Sequence, residues 1–221
     1  MREPDPLSTV PGSPGLWRQI NSDASPAATP RPAIFLDRDG VVVAETNYLH
    51  RIEDMEVLSG AAETIRLCNA SRIPVILVTN QSGVGRGYYG WPEFAAIQEA
   101  LSRHLATADA HFDMVLACAY HAEGKPPYDR AGHAWRKPGP GMIHDAATAL
   151  NLDLARSWII GDSASDIEAG KNAGLAGGIH LLSGHGTRDR EKSLTFADAG
   201  FNVIVEPGIG AAGHIHARLV T

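Results

Sequence analysis

Cysteine is scarce in this chain of 221 residues: Cys68 and Cys118 are the only two, so at most one bridge could form and a disulfide framework is excluded. A reducing, cytoplasmic compartment is the simpler expectation. Long apolar runs are missing too. Nothing approaches the roughly 18 consecutive apolar residues of a membrane span, and the opening MREPDPLSTVPGSPG lacks the apolar stretch of a secretory leader. Positive charge is in deficit, with Lys+Arg 19 against Asp+Glu 25 and a net charge of −6. That balance argues against a surface made to grip nucleic-acid phosphates. Aromatic residues make up only 6%, yet 44% hydrophobic and 20% charged residues suit a globular fold. With no obvious apolar seam, a monomer is expected.

Proline is present but unevenly placed. Seven of the 14 prolines (4, 6, 11, 14, 26, 30, 32) fall within the first 32 residues, alongside many Ser, Thr and Asp. Residues 1–32 therefore read as an extended arm, in which Leu16-Trp17-Arg18-Gln19-Ile20 is the one piece suited to docking. Residues 33–221 then form a single domain. There, short apolar runs (AIFLD at 33–37, PVILVT at 74–79, FDMVLAC at 112–118, SWIIG at 157–161, GIHLL at 178–182 and NVIV at 202–205) alternate with helical stretches at 60–71, 92–106, 139–151 and 165–173. Continuous apolar runs are those of parallel strands buried on both faces. The pattern predicts an α/β fold with a doubly wound, mostly parallel sheet and helices on both faces. Ligands of such sheets collect beyond the carboxyl ends of the strands, so the chemistry is expected where each run finishes.

The first run finishes Asp37-Arg38-Asp39-Gly40, two acids one residue apart, which suit a hard divalent cation such as Mg²⁺. The second finishes Thr79-Asn80-Gln81-Ser82-Gly83, small polar groups with backbone N–H donors for a phosphate. Arg136-Lys137-Pro138 precedes the third helix, where a lysine opposes the helix dipole unless an anion balances it. The fourth run finishes Gly161-Asp162-Ser163-Ala164-Ser165-Asp166, with two acids on one face of a first helical turn. Each motif alone has an ordinary structural explanation: a turn, a polar loop, a surface lysine, a helix cap. Four in this order do not.

FLDRDG, VTNQSG, RKPGPGM and IIGDSASD together resemble the haloacid-dehalogenase-like (HAD-like) phosphohydrolases over roughly residues 33 to 185. The branch they resemble is that of D-glycero-D-manno-heptose 1,7-bisphosphate and histidinol-phosphate phosphatases. The resemblance implies an Mg²⁺-dependent phosphomonoesterase acting on a small phosphorylated sugar, with histidinol phosphate or another sugar phosphate as the alternative. It implies Asp37 as nucleophile, Asp39 as acid and base, and Thr79 and Lys137 as phosphoryl stabilisers. Mg²⁺ would be held by Asp37, the Asp39 carbonyl and Asp162, with Asp166 in support. Substrate contacts would come from Arg38, Glu45, Thr46, Asn47, Tyr48, Asn80, Gln81, Ser82 and Arg136. A receiver domain fits less well, because the third strand ends in Cys118-Ala119-Tyr120 without an acid. A non-catalytic phosphometabolite-binding domain would be the reading had Asp37 or Asp39 been replaced.

Two departures from the branch stand out. Its cysteine-rich zinc loop is reduced here to Cys118, His121 and His133 as the residues left for a Zn²⁺ site, with a metal-free loop as the alternative. Ser163 stands where relatives often have lysine. Neither interval between motifs is long enough for a separate cap domain, so specificity is expected in loops 41–50, 83–91 and 119–135.

Overall fold

The computed structural model describes residues 9–21 and 24–219. One sheet of eight strands organises them, in the spatial order β1 (Thr9–Val10), β2 (Ser13–Ile20), β5 (Met114–Cys118), β4 (Val75–Asn80), β3 (Ile34–Leu36), β6 (Trp158–Gly161), β7 (Gly177–Leu181), β8 (Asn202–Glu206). From β5 to β8 every pairing is parallel, while β1 and β2 add antiparallel. The six apolar runs are thus the six parallel strands. Alternation along them divides the core. Ile34, Leu36 and Leu77 face α1 (Ala61–Ala70) and α3 (Trp91–Ala106), whereas Phe35, Ile76 and Val78 face α4 (Gly141–Leu150) and α5 (Ala164–Asn172). Among the described residues no helix is long and apolar enough to cross a membrane, and no separate cap stands over the sheet.

The chain leaves β3 for β4 on one side and reaches β6 on the other. Their connections diverge at the carboxyl end of β3, opening a crevice. Short α2 (Ser82–Arg86) begins right at the end of β4. A polar helix, α6 (Gly186–Leu194), follows β7, and α7 (Ile209–Ala212) and α8 (Ile215–Leu219) close the domain. The sequence GTRDREKSL of α6 has no apolar stripe, so periodicity does not mark it. Buried His180 on β7 holds it instead, meeting Gly186 O at 2.8 Å and Ser193 Oγ at 3.0 Å.

The piece of the arm expected to dock does so, and the boundary drawn at residue 32 is corrected. Leu16 to Ile20 pair with Cys118 to Met114, so this segment is an integral strand that crosses the boundary drawn at residue 32. Composition misled here because Pro11, Pro14 and Gly15 break the apolar pattern, yet proline is tolerated at a strand start. Gly15 is needed: a Cβ would lie 2.7 Å from the Tyr120 ring. Trp17 is buried against Trp91 and Phe94, with ring centroids 5.6 and 5.3 Å away. Trp17→Ala should therefore lower stability by about 3–5 kcal/mol in denaturant melts; an unchanged midpoint would mean the strand is dispensable. Residues 1–8 and 22–23 of the expected arm lie outside the described residues.

Candidate active site

Asp37 is the first residue beyond β3, and its amide donates to Ile160 O at 3.0 Å, which fixes it at the crevice. Lys137 reaches the same place from the turn that precedes α4. Its ammonium lies 2.9 Å from Asp37 Oδ1 and 2.7 Å from Asp166 Oδ1, and donates to Val78 O at 2.8 Å. The surface lysine allowed by sequence is therefore a buried ion-pair centre. Asp166 in turn caps α5, accepting from the Ser163 amide at 3.0 Å and hydroxyl at 2.8 Å. Asn80 clamps the Lys137 backbone in both directions, accepting from its N–H at 3.0 Å and donating to its carbonyl at 3.1 Å.

These charges do not balance. Burial, with Asp166 and Asp39 nearby, pushes the Asp37 carboxyl up to about 7 even though Lys137 pulls it down. Burial beside Asp37 and Asp166 pushes Asp162 up to about 8. For Lys137, burial works to lower the ammonium, but Asp166 and Asp37 outweigh it and hold it above its ordinary value. Ligand oxygens of Asp37, Asp162 and Asp166 lie within 4.8 Å of one another. Two buried carboxylates and a partly buried one, with a single lysine paired to two of them, form an all-oxygen donor set with unneutralised charge, which fits a hard cation such as Mg²⁺.

A cleft of about 300 Å³ contains Asp37, Arg38, Asp39, Glu45, Asn47, Tyr48, Thr79, Asn80, Gln81, Ser82, Arg136, Lys137, Asp162 and Asp166. Of the residues expected there from the four motifs and the 45–48 loop, Thr46 alone is not on its wall. Asn47 and Tyr48 adopt φ of 53° and 73°, the left-handed region that a bulky residue rarely enters. Strain of this kind collects at ligand-handling sites. The cleft also includes Ser163 and Ser165 of the fourth motif, and Tyr89 and His185, which lie outside the four motifs. Of these, Tyr89 shows a sequence signal, in the RGYY that follows the second motif.

Some expected substrate contacts are redirected. Arg38 is buried, and its Nε and Nη2 fork onto Asp39 at 3.0–3.2 Å, beneath the Phe94 ring. Gln81 donates to Thr79 Oγ1 at 2.9 Å and accepts from the Tyr89 hydroxyl at 2.6 Å. Arg38, Asn80 and Gln81 thus spend their polar groups on protein partners and set the residues around them.

Of the two readings of the 118–133 loop, the Zn²⁺ site is not supported. Among the described residues Asp37, Asp162 and Asp166 form the one metal-capable cluster, and Cys118, His121 and His133 are not gathered. Cys118 is sealed within β5, where burial pushes its thiol up to about 11. His121 Nδ1 accepts from the Glu123 amide at 2.9 Å. His133 stacks on Tyr120 at 4.5 Å and accepts from the Trp135 amide at 3.1 Å.

Comparison with known proteins gives a consistent picture. The HAD-hydrolase-like family model matches residues 134–204. The chain is 43% identical over 176 residues to the D-glycero-beta-D-manno-heptose-1,7-bisphosphate 7-phosphatase of Mesorhizobium japonicum, covering 79% of this chain and 78% of that protein. A Mesorhizobium loti protein assigned to the HAD-like phosphatases superposes with a TM-score of 0.83 and 35% identity, over 95% of both chains. The D,D-heptose 1,7-bisphosphate phosphatase of B. bronchiseptica, solved with magnesium and phosphate, gives 0.70 and 29%, over 85% of this chain and 98% of that one.

Proposed function

This chain belongs to the HAD-like family of heptose-1,7-bisphosphate phosphatases and is a phosphoric monoester hydrolase; from that premise we propose that it removes the 7-phosphate of D-glycero-D-manno-heptose 1,7-bisphosphate through an aspartyl-phosphate on Asp37. The observation that carries this reading is the meeting of Asp37, Lys137, Asp162 and Asp166 in one cleft at the switch point of the sheet. Asp37 attacks phosphorus, forming the P–O bond to its carboxylate as the bond to the sugar oxygen breaks. Asp39, two residues on, protonates that leaving oxygen. It then takes a proton from the water that attacks the phosphoryl-aspartate, which releases inorganic phosphate and restores Asp37. Lys137 and Thr79 offer donors to the phosphoryl oxygens, where spread negative charge needs fixed positive groups. The Arg38 fork fixes the Asp39 carboxylate, and Gln81 fixes the Thr79 hydroxyl.

Asp37, Asp162 and the Asp39 carbonyl would hold Mg²⁺, with Asp166 supporting through Lys137. Mg²⁺ in that place supplies charge that offsets the crowded carboxylates and the phosphate. Arg136, half-buried on the cleft wall and donating to Tyr120 O at 3.2 Å, is suited to a second phosphate. Glu45, Asn47 and Tyr48 face the sugar.

Phosphate release from both anomers of heptose 1,7-bisphosphate and from histidinol phosphate tests the substrate. A heptose preference of about a hundredfold, roughly 2.7 kcal/mol, is expected; equal rates would reject heptose as the substrate. Metal removal gives a second result. Carboxyls raised to about 7 and 8 favour the metal-free fold most at low pH, and that stability is lost as pH rises through those values. Mg²⁺ must displace those protons. The rise in melting temperature produced by millimolar Mg²⁺ should therefore grow from pH 6 to pH 8; an equal rise at both would contradict the cation site.

A further inference from the structure

The loop that follows β7 carries none of the four motifs, yet it touches two of them. Ser183 Oγ donates to the Gly40 carbonyl at 2.6 Å, and the His185 amide donates to Asp162 Oδ2 at 2.7 Å. Between them Gly184 has φ +51°, where a Cβ would run into Asp162 Oδ2 and lie 2.9 Å from Gly40 Cα. Gly40, at φ +75°, would press any Cβ of its own into the same carboxylate. Two backbone turns thus close around one acid and leave no room for a side chain on either. The loop is also anchored from behind, because Gly186 O and Ser193 Oγ both meet the buried imidazole of His180.

We propose that Ser183-Gly184-His185 is the positioning element of the cation site: Ser183 sets the Asp39–Gly40 turn, the His185 N–H commits Asp162 Oδ2, and Gly184 allows the approach that joins them. The loop fixes the spacing between the first and fourth motifs before any cation arrives. Groups that hold ligands from behind in this way typically change metal affinity by about 10–100-fold when removed. The inference rests on Asp162 being a cation ligand, so the test includes that residue.

Isothermal titration of Mg²⁺ into metal-free protein, paired with the melting temperature of the same samples, decides it. Ser183→Ala should bind Mg²⁺ about 10-fold more weakly with a metal-free melting temperature close to wild type. Saturating Mg²⁺ should restore most of its phosphatase rate, and Ser183→Thr, which keeps the hydroxyl, should bind like wild type. Gly184→Ala should bind more weakly still; if it fails to fold, Ser183→Ala alone decides. Asp162→Asn should lose binding. Unchanged Mg²⁺ affinity in Ser183→Ala, or a lower melting temperature without an affinity change, beside a non-binding Asp162→Asn, overturns the positioning role. Wild-type binding in Asp162→Asn overturns instead the reading of the cation site.

Discussion

Asp37→Asn is expected to yield a folded protein whose phosphate release is slower by about 10⁴-fold or more, the scale of loss when a nucleophile is removed. The amide keeps the shape of the carboxylate but cannot attack phosphorus. Its effect on stability should run the other way. The Asp37 carboxyl, pushed up to about 7, is ionised at pH 8 against Asp166 and Asp39. A neutral side chain removes that repulsion and leaves Lys137 paired with Asp166 at 2.7 Å. Metal-free Asp37→Asn should therefore melt at or above the wild-type temperature at pH 8 and show no gain at pH 5. Turnover like wild type, measured as phosphate release with Mg²⁺ present, would sink the nucleophile assignment.

Lys137→Met should be the most disruptive single change in the cleft. The ammonium is buried and bonded to two carboxylates and a strand carbonyl. Removing one partner of a buried ion pair commonly costs about 3–5 kcal/mol, because the remaining charge is left uncompensated. Activity should fall by about 10²–10³-fold through loss of a donor to the phosphoryl group. The sign with pH is definite. Without Lys137 the carboxyl of Asp37 rises further above its unfolded value, so folded stability is retained at low pH and lost as pH climbs past 7. Melting curves at pH 5.5 and 8 should diverge far more for the variant than for the wild type, and parallel curves would contradict the ion-pair network.

What could be read from sequence follows from how local each signal is. Six parallel strands announce themselves because burial on both faces demands uninterrupted apolar runs, as in Val75–Asn80. The four motifs are contiguous stretches, so Asp37, Lys137, Asp162 and Asp166 could be named before their distances were known. Strand β2 shows in the sequence only as a piece suited to docking, because its partner β5 is about a hundred residues away and the composition around it is that of a linker. Helix α6 escaped because its hold on the sheet is a histidine network rather than an apolar stripe. The resemblance places Arg38 among the substrate contacts; its turn inward onto Asp39 depends on the space beside Phe94, which sequence does not show. The zinc trio failed for a similar reason, since spacing says nothing of the β5 burial that removes Cys118 from the loop.

The antiparallel pairing of Leu16 with Cys118 also has a bearing on biogenesis. Strand β2 is made with only the two-residue β1 beside it, and the strand on its other edge is not complete until Cys118 has emerged, about a hundred residues later. At about 5–20 residues per second that is a wait of roughly 5–20 s. During it the apolar Leu16 and Trp17 face solvent or a chaperone, and β5, once made, has an open edge until they dock. Fusions that hinder the N-terminus should therefore depress soluble yield more than equally bulky fusions at the far end of the chain.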